Sequence, residues 1–435
     1  MLKKLIFILI ITGIFYHEII AQSIDNLKTE INTRISQIEQ EVIEWRHYLH
    51  ENPELSNQEY NTSKFVADKL REFGMEVTSG IAHTGVVGIL RGGKPGPVVA
   101  LRADMDGLPV KERVPLEWAS KTVLEYNGEE VPVMHACGHD VHMSILLGSA
   151  HVLSAVKDQI SGIVKFIFQP AEEGAPDGEE GGAELMVKQG VLKNPDAEVI
   201  FGLHIKSEFE VGEIHYKPEG IMAAVNSFKV KVKGKQTHGS QPWAGIDPIV
   251  TSSLIINGLQ TVVSRRVDLT NAPVVVSVGA IHGGVRNNII PEEVEFIGTI
   301  RSLDYEMREK ILKDIKTTIL KIAESQGANA ELFIDKGYPI TYNDPGLTKQ
   351  MLPSLKDAAG SENVHLVKPW TGAEDFAFYQ QEIPGLFFFL GGTPRGKLSQ
   401  AFPHHTPDFF VADESIKTGI RTFCYLVIDY KNQSQ

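Results

Sequence analysis

Four short apolar runs recur along the chain, and each stops at a polar or charged residue. They are Val98-Val99-Ala100-Leu101, Ile163-Val164-Lys165-Phe166-Ile167-Phe168, Val199-Ile200-Phe201-Gly202-Leu203 and Leu386-Phe387-Phe388-Phe389-Leu390. Near-continuous apolar runs of this length suit strands buried on both faces of a sheet. Helical segments lie between some of them, such as Met143 to Val156. Residues 25–73 carry Ile31, Ile35, Ile38, Val42 and Trp45 at helical spacing, and Gly74 closes the second helix there. This alternation predicts an α/β domain with a mostly parallel sheet.

At 435 residues the chain is too long for one typical core. Its middle changes period. Ser227 to Lys233 alternates apolar and basic residues, and a long helical stretch follows from Asp247 to Arg265. Strands at Pro273–Ile281 and Val294–Arg301, a helix from Tyr305 to Gln326 and a strand near Ala330–Ile334 complete the stretch. Strand, helix, two strands, helix, strand is a ferredoxin-like α+β unit. Residues 219–335 are therefore expected as a second domain inserted into a first made of 22–218 and 336–435.

Residues 1–21 stand apart. Lys3 and Lys4 precede an apolar run from Leu5 to Phe15, and Ala21-Gln22 offers a cleavage point, which together describe a secretory leader. The expected destination is the periplasm or the exterior. The bulky Ile19 and the His17-Glu18 interruption fit the alternative, an uncleaved anchor. A net charge of −13 argues against a nucleic-acid partner, which would want a basic face, and no later segment approaches the length of a membrane span. Of only two cysteines, Cys424 lies in an apolar helical stretch and reads as an inert core thiol. Cys137, in polar, Gly-flanked surroundings, needs a chemical explanation.

Sites in open α/β sheets form at the carboxyl ends of the strands, and metal-ligating residue types collect there. Asp104 and Asp106 follow the first apolar run, Glu172 and Glu173 the second, His204 the third, and His405 lies beyond the fourth. Cys137 and His139 sit just before the helix that begins near Val141. Thiolate with imidazole suits zinc, and imidazole with carboxylate also suits manganese, cobalt or nickel. Glu172 and Glu173 are adjacent, so their side chains diverge. One can bind an ion while the other takes a proton from the water that the ion activates.

Six motifs carry a family resemblance. They are Leu101-Arg102-Ala103-Asp104-Met105-Asp106-Gly107-Leu108-Pro109, Cys137-Gly138-His139-Asp140, Gln169-Pro170-Ala171-Glu172-Glu173-Gly174, Gly202-Leu203-His204, Thr371-Gly372-Ala373-Glu374-Asp375-Phe376 and His405-Thr406-Pro407-Asp408-Phe409. In this order they resemble peptidase family M20, the aminoacylase and carboxypeptidase family, and within it the amidohydrolase branch of hippurate and auxin–amino acid conjugate hydrolases. The resemblance implies two divalent metals held by Cys137, His139, Glu173, His204 and His405, with Cys137 bridging. It makes Glu172 the general base and Asp106 the carboxylate that orients an imidazole ligand. In the wider family a histidine ligand stands at the place of Asp104, and His139 is the expected substitute. The branch commonly has glycine where this chain has Val141. The resemblance also implies an inserted lid, which in the family often mediates dimerisation. There His238 would reach the substrate carbonyl and Asn288 would contact substrate, while Arg301 is a candidate for a substrate carboxylate.

Taken singly, several of these residues have plainer readings. His204 alone would be a hydrogen-bonded structural histidine, and Asp104 a structural carboxylate. His135, His142 and His404 are expected to support the ligands or lie at the surface, Glu179-Glu180 to be a solvated loop and His282 a turn residue. As a set they predict a hydrolase that cleaves the amide of an N-acyl amino acid or similar small conjugate. A dipeptidase or carboxypeptidase using the same centre, and a non-catalytic binding protein of the same fold, are the alternatives.

Overall fold

The structure, a computed structural model, describes the backbone of residues 2–433 and the side chains of residues 24–430. The expected leader at 1–21 falls outside the described side chains. Among the described residues no helix is long and apolar enough to cross a membrane. The chain forms two compact units. One comprises Met1–Tyr216, Asp344–Val367 and Gln381–Gln435, the other Lys217–Asn343 and Lys368–Gln380.

The first unit is built on an eight-stranded sheet. Its order is Glu76–Ile81, Gly85–Arg91, Ser161–Gln169, Lys94–Asp104, Val199–Glu210, Gly385–Thr393, Ile214–Tyr216, Val364–Leu366. The four central strands, which contain the four apolar runs, are mutually parallel, as expected for strands covered on both faces. The helix His139–Ala155 is buried almost throughout, because it lacks a polar face. It packs against the helices Leu2–Glu51 and Ser415–Gln433. The periodic residues Ile31, Ile35, Ile38, Val42 and Trp45 all enter this core.

A buried ionic cluster fastens the start of the His139 helix. Asp140 accepts from Arg46 Nε at 3.1 Å and faces His50 Nδ1 at 3.0 Å, and His50 Nε2 lies 3.2 Å from Glu112. Two positive partners for one buried carboxylate are needed because an unpaired charge there would be strongly destabilising.

The second unit carries a four-stranded antiparallel sheet in the order Val274–Gly283, Glu293–Ser302, Ala224–Lys233, Asn329–Ile334. Phe228, Val230 and Val232 face inward under the helices Pro248–Arg266 and Tyr305–Ser325, and Lys229 and Lys233 face out. Asp247 and Asp304 cap those helices through backbone N–H groups at 2.8 Å. The unit runs on to Asn343, past the boundary expected at 335, because Thr341–Asn343 pairs with Glu219–Met222. It also takes in Lys368–Gln380, since Ala223 N–H donates to Trp370 O at 3.1 Å and Gly372 O at 2.9 Å. Such long-range pairings leave no local pattern in the chain.

The ionic cluster makes stability depend on pH. Burial lowers the His50 pKa, but Asp140 and Glu112 outweigh it and raise it from 6.5 to about 9. A raised folded pKa means that the His50 contribution is full below pH 6.5 and is lost as pH climbs towards 9. Denaturant unfolding between pH 6 and 9.5 is expected to show a decline that His50→Gln flattens.

Candidate metal centre

The centre lies wholly in the first unit and begins at Gly138. This glycine adopts φ +91° immediately before the His139 helix, and a Cβ there would fall 2.3 Å from Ile205 Cγ2. The left-handed turn and the close approach both require glycine. Cys137 and His139 are thereby held on either side of it.

Backbone carbonyls set the tautomers of two imidazoles. His139 Nδ1 lies 2.8 Å from Asp106 O, so it carries the proton and leaves the Nε2 lone pair free. His204 Nδ1 lies 2.6 Å from Ile205 O and does the same. His204 Nε2 is 3.3 Å from Cys137 Sγ. His139 Nε2 is buried without a hydrogen-bond partner, 3.9 Å from both Glu172 and Glu173. His405, with φ +62° and its N–H on Ala136 O, brings Nε2 to 3.3 Å from Cys137 Sγ and 3.0 Å from Glu173 Oε1.

Cys137 Sγ is common to two groups of three donors, one with His139 and His204 and the other with Glu173 and His405. Within each group all the donor atoms lie within 4.8 Å of one another. Thiol, imidazoles and carboxylate are the donor types of a zinc or similar transition-metal site. The electrostatics ask for a cation. Burial pushes the Cys137 thiol well up, and the Glu173 and Glu172 charges add to it. Burial would lower the His139 pKa, but Asp104, Asp106 and Glu173 raise it to about 10. A proton or a metal ion supplies the missing positive charge, so metal binding displaces protons. The buried, partnerless Nε2 and the donor set both fit a divalent metal.

Asp106 does more than orient an imidazole. Its carbonyl holds His139, while its carboxylate accepts the N–H of Glu172 on Oδ1 and of Glu173 on Oδ2, each at 3.0 Å. Ser56 Oγ adds a bond at 2.8 Å. The two adjacent glutamates are thus aimed by their own backbone.

The family model described as Peptidase family M20/M25/M40 matches residues 100–429. The chain belongs to this family. Thermostable carboxypeptidase 2 of Saccharolobus solfataricus is 41% identical over 410 residues, covering 94% of this chain and 100% of that protein. N-acetyl-L-cysteine deacetylase of Bacillus subtilis is 36% identical over 384 residues, covering 88% of each. The crystal structure of the Bacillus subtilis protein YXEP, described as a dinuclear metal binding peptidase from the M20 family, matches with a TM-score of 0.76. That match has 32% identity and covers 91% of this chain and 99% of the other.

The other residues singled out in the sequence are placed as follows, each within its own unit. His142 is no ligand, because Nδ1 meets Asp104 Oδ1 at 2.6 Å and Nε2 accepts Ile205 N–H at 2.8 Å. Asp104 also accepts from Arg102 at 2.7 Å and is held well below the usual carboxylate range. Burial opposes that shift, and the interactions with His139, His142 and Arg102 overcome it. His204 does not end its strand, which runs on to Glu210. Instead, pairing with Lys94–Asp104 stops at Gly202 and exposes the next residues to the site. His238 and Asn288 lie in the second unit, brought together as His238 pairs with Ile289 and Gly239 N–H donates to Asn288 O at 2.8 Å. Ser240 N–H donates to His238 Nδ1 at 3.1 Å, which puts the His238 proton on Nε2. Arg301 directs Nε to Thr371 O at 3.1 Å and Nη1 to Ile300 O at 3.2 Å.

His404 is among the residues expected to support the ligands or lie at the surface, and Glu59 is not singled out by the sequence. His404 is largely buried with Nδ1 3.7 Å from Cys137 Sγ, where burial and the Lys206 charge hold its pKa well down. Glu59 is fully buried beneath the glutamate turn, accepting Ala171 N–H at 2.9 Å and Thr84 Oγ1 at 2.5 Å. Burial and then the Asp106 charge raise its pKa to about 8. No motif marks Glu59. Its only signal is its contact with Ala171, more than a hundred residues away in the chain.

The Asp106 clamp is open to direct measurement. Asp106→Ala leaves the Glu172 and Glu173 N–H groups without their acceptor and is expected to weaken zinc binding roughly 10–100-fold, read by competition with a chromophoric chelator.

Proposed function

We propose that this chain is a dinuclear metal-dependent amidohydrolase that cleaves the amide bond of N-acyl amino acids or similar small conjugates. Its coarse class is given by its family: it is a metal-dependent hydrolase of M20 type. The observation that carries the finer reading is the sulfur of Cys137, shared by two donor groups, with a second carboxylate, Glu172, beside them. Cys137, His139, Glu173, His204 and His405 would hold two divalent ions, zinc or manganese by their donor types, with cobalt and nickel also suited.

Bound there, two divalent ions would supply Lewis-acid polarisation of the amide carbonyl and a lowered pKa for the attacking water. Glu172, buried and oriented by Asp106 through its own N–H, accepts the proton of the attacking water and passes it to the departing amine. Glu173 is tied to His405 at 3.0 Å and remains a ligand. His238, its proton on Nε2, is proposed as donor to the substrate carbonyl oxygen, and Asn288, its neighbour in the second unit, as a further substrate contact.

The deacetylase relative supports an N-acyl amino acid as substrate. The thermostable carboxypeptidase, with higher identity, supports the second reading, a peptidase acting on a free carboxyl terminus. The amino-terminal leader supports export to the periplasm or exterior. In the second unit, Ile297 and Phe333 are exposed on either side of Lys229 in paired strands, which suits a homodimer contact.

Two measurements test the proposal. Glu172→Gln is expected to lower kcat by at least about 10²-fold while metal content by mass spectrometry stays at the wild-type value; full activity would remove Glu172 from the mechanism. On a panel of N-acetyl amino acids, N-benzoyl amino acids and dipeptides, the zinc- or manganese-loaded protein is expected to hydrolyse the acyl amino acids best. Preference for dipeptides would favour the peptidase, and no hydrolysis with any metal would point to a binding protein.

A further inference from the structure

A second cluster of metal-ligating side chains stands at the far edge of the first unit's sheet. His215 lies on the short strand Ile214–Tyr216, and His365 lies directly opposite it on the edge strand Val364–Leu366. Directly paired residues share a face, and Glu213, two positions before His215, shares it too. The imidazole centroids are 4.9 Å apart. One carboxylate faces both rings, with His215 Nε2 3.0 Å from Glu213 Oε2 and His365 Nε2 3.9 Å from Oε1. The three donor atoms lie within 4.8 Å of one another.

An ion pair between Glu213 and His215 leaves His365 Nε2 facing the other carboxylate oxygen at 3.9 Å, beyond hydrogen-bond reach. His215 is only 7% exposed and its Nδ1 finds no hydrogen-bond partner. Phe209 stacks on the ring at a centroid distance of 3.5 Å and an angle of 11°, which fixes its plane. Two imidazoles and one carboxylate whose donors converge on one point are the donors of a zinc site with an open position for water.

The cluster is separate from the catalytic ligands. His204 and His215 each pair with Phe389, from its two sides. The two histidines therefore stand two strands apart, about 10 Å at the usual strand spacing.

We propose that Glu213, His215 and His365 form a peripheral divalent-metal site, best suited to zinc, that clips the edge strand to the sheet. The edge strand is held to its neighbour by only three register pairs, so a metal bridging His215 and His365 ties together two segments 150 residues apart in the chain. Water completes the coordination on the exposed side, where His365 is accessible.

The test compares wild type with His365→Gln after dialysis of the full chain against micromolar zinc and removal of free ion. The side chain is 42% exposed, so the variant is expected to keep the wild-type circular dichroism. Wild type should retain one zinc ion per chain more than the variant by elemental mass spectrometry. Glu213→Gln should show the same deficit. Equal zinc in wild type and His365→Gln overturns the proposal. A deficit larger than one ion would assign the side chain to the catalytic centre and overturn it as well. Because the readout is a difference in bound zinc, it is independent of whether the chain hydrolyses any amide.

Discussion

One carboxylate holds three segments of the chain in register. Asp106 follows a central strand, its carbonyl fixes the imidazole of His139 at a helix start, and its two oxygens take the N–H groups of Glu172 and Glu173 in the turn after the neighbouring strand. Charge-assisted bonds of this kind are each worth roughly 1.5–3 kcal/mol, and here they also set directions. Adjacent side chains diverge by backbone geometry alone. Anchoring both N–H groups on one carboxylate fixes the directions in which the two side chains diverge.

Burial opposes the Asp106 charge, and His139, the Glu173 N–H and Ser56 hold its carboxyl below the usual range. Glu59 is buried beside it, and burial together with the Asp106 charge raises the Glu59 pKa to about 8. Two carboxyl groups in one dry pocket hold a single negative charge between them near neutrality. Further out, Arg102 neutralises Asp104, and Arg46 with His50 neutralises Asp140. Burial, and then Glu173 and Glu172, push the Cys137 thiol up at the centre of the site. The His139 and His204 lone pairs point there, and M20 chemistry needs a cation there.

Several parts of this arrangement were legible in the chain itself. The apolar runs read correctly as parallel strands because strands covered on both faces cannot alternate. Cys137 lies within reach of His139 and His204 in one group and of Glu173 and His405 in another. The double role of Asp106 was not legible, since a backbone carbonyl looks the same at every position. Glu59 was invisible because its partners Ala171 and Thr84 are distant in sequence. His404 and His405 could not be told apart by type; only the left-handed backbone of His405 and its bond to Ala136 distinguish them. The segment Lys368–Gln380 joins the second unit through bonds that no periodicity records.

The amino-acid sequence by itself determined the element types, the α/β class, the family and the set of residues able to bind metal. Those properties follow from hydrophobic period and residue chemistry, which are local. Which nitrogen of each histidine faces inward, how Asp106 holds the backbone of Glu172 and Glu173, and that His215 and His365 meet across an edge strand were decided only by the tertiary structure. Each of these depends on hydrogen bonds or strand pairing between segments far apart in the chain. Burial then acts on those contacts, making charge expensive wherever no partner or metal ion balances it.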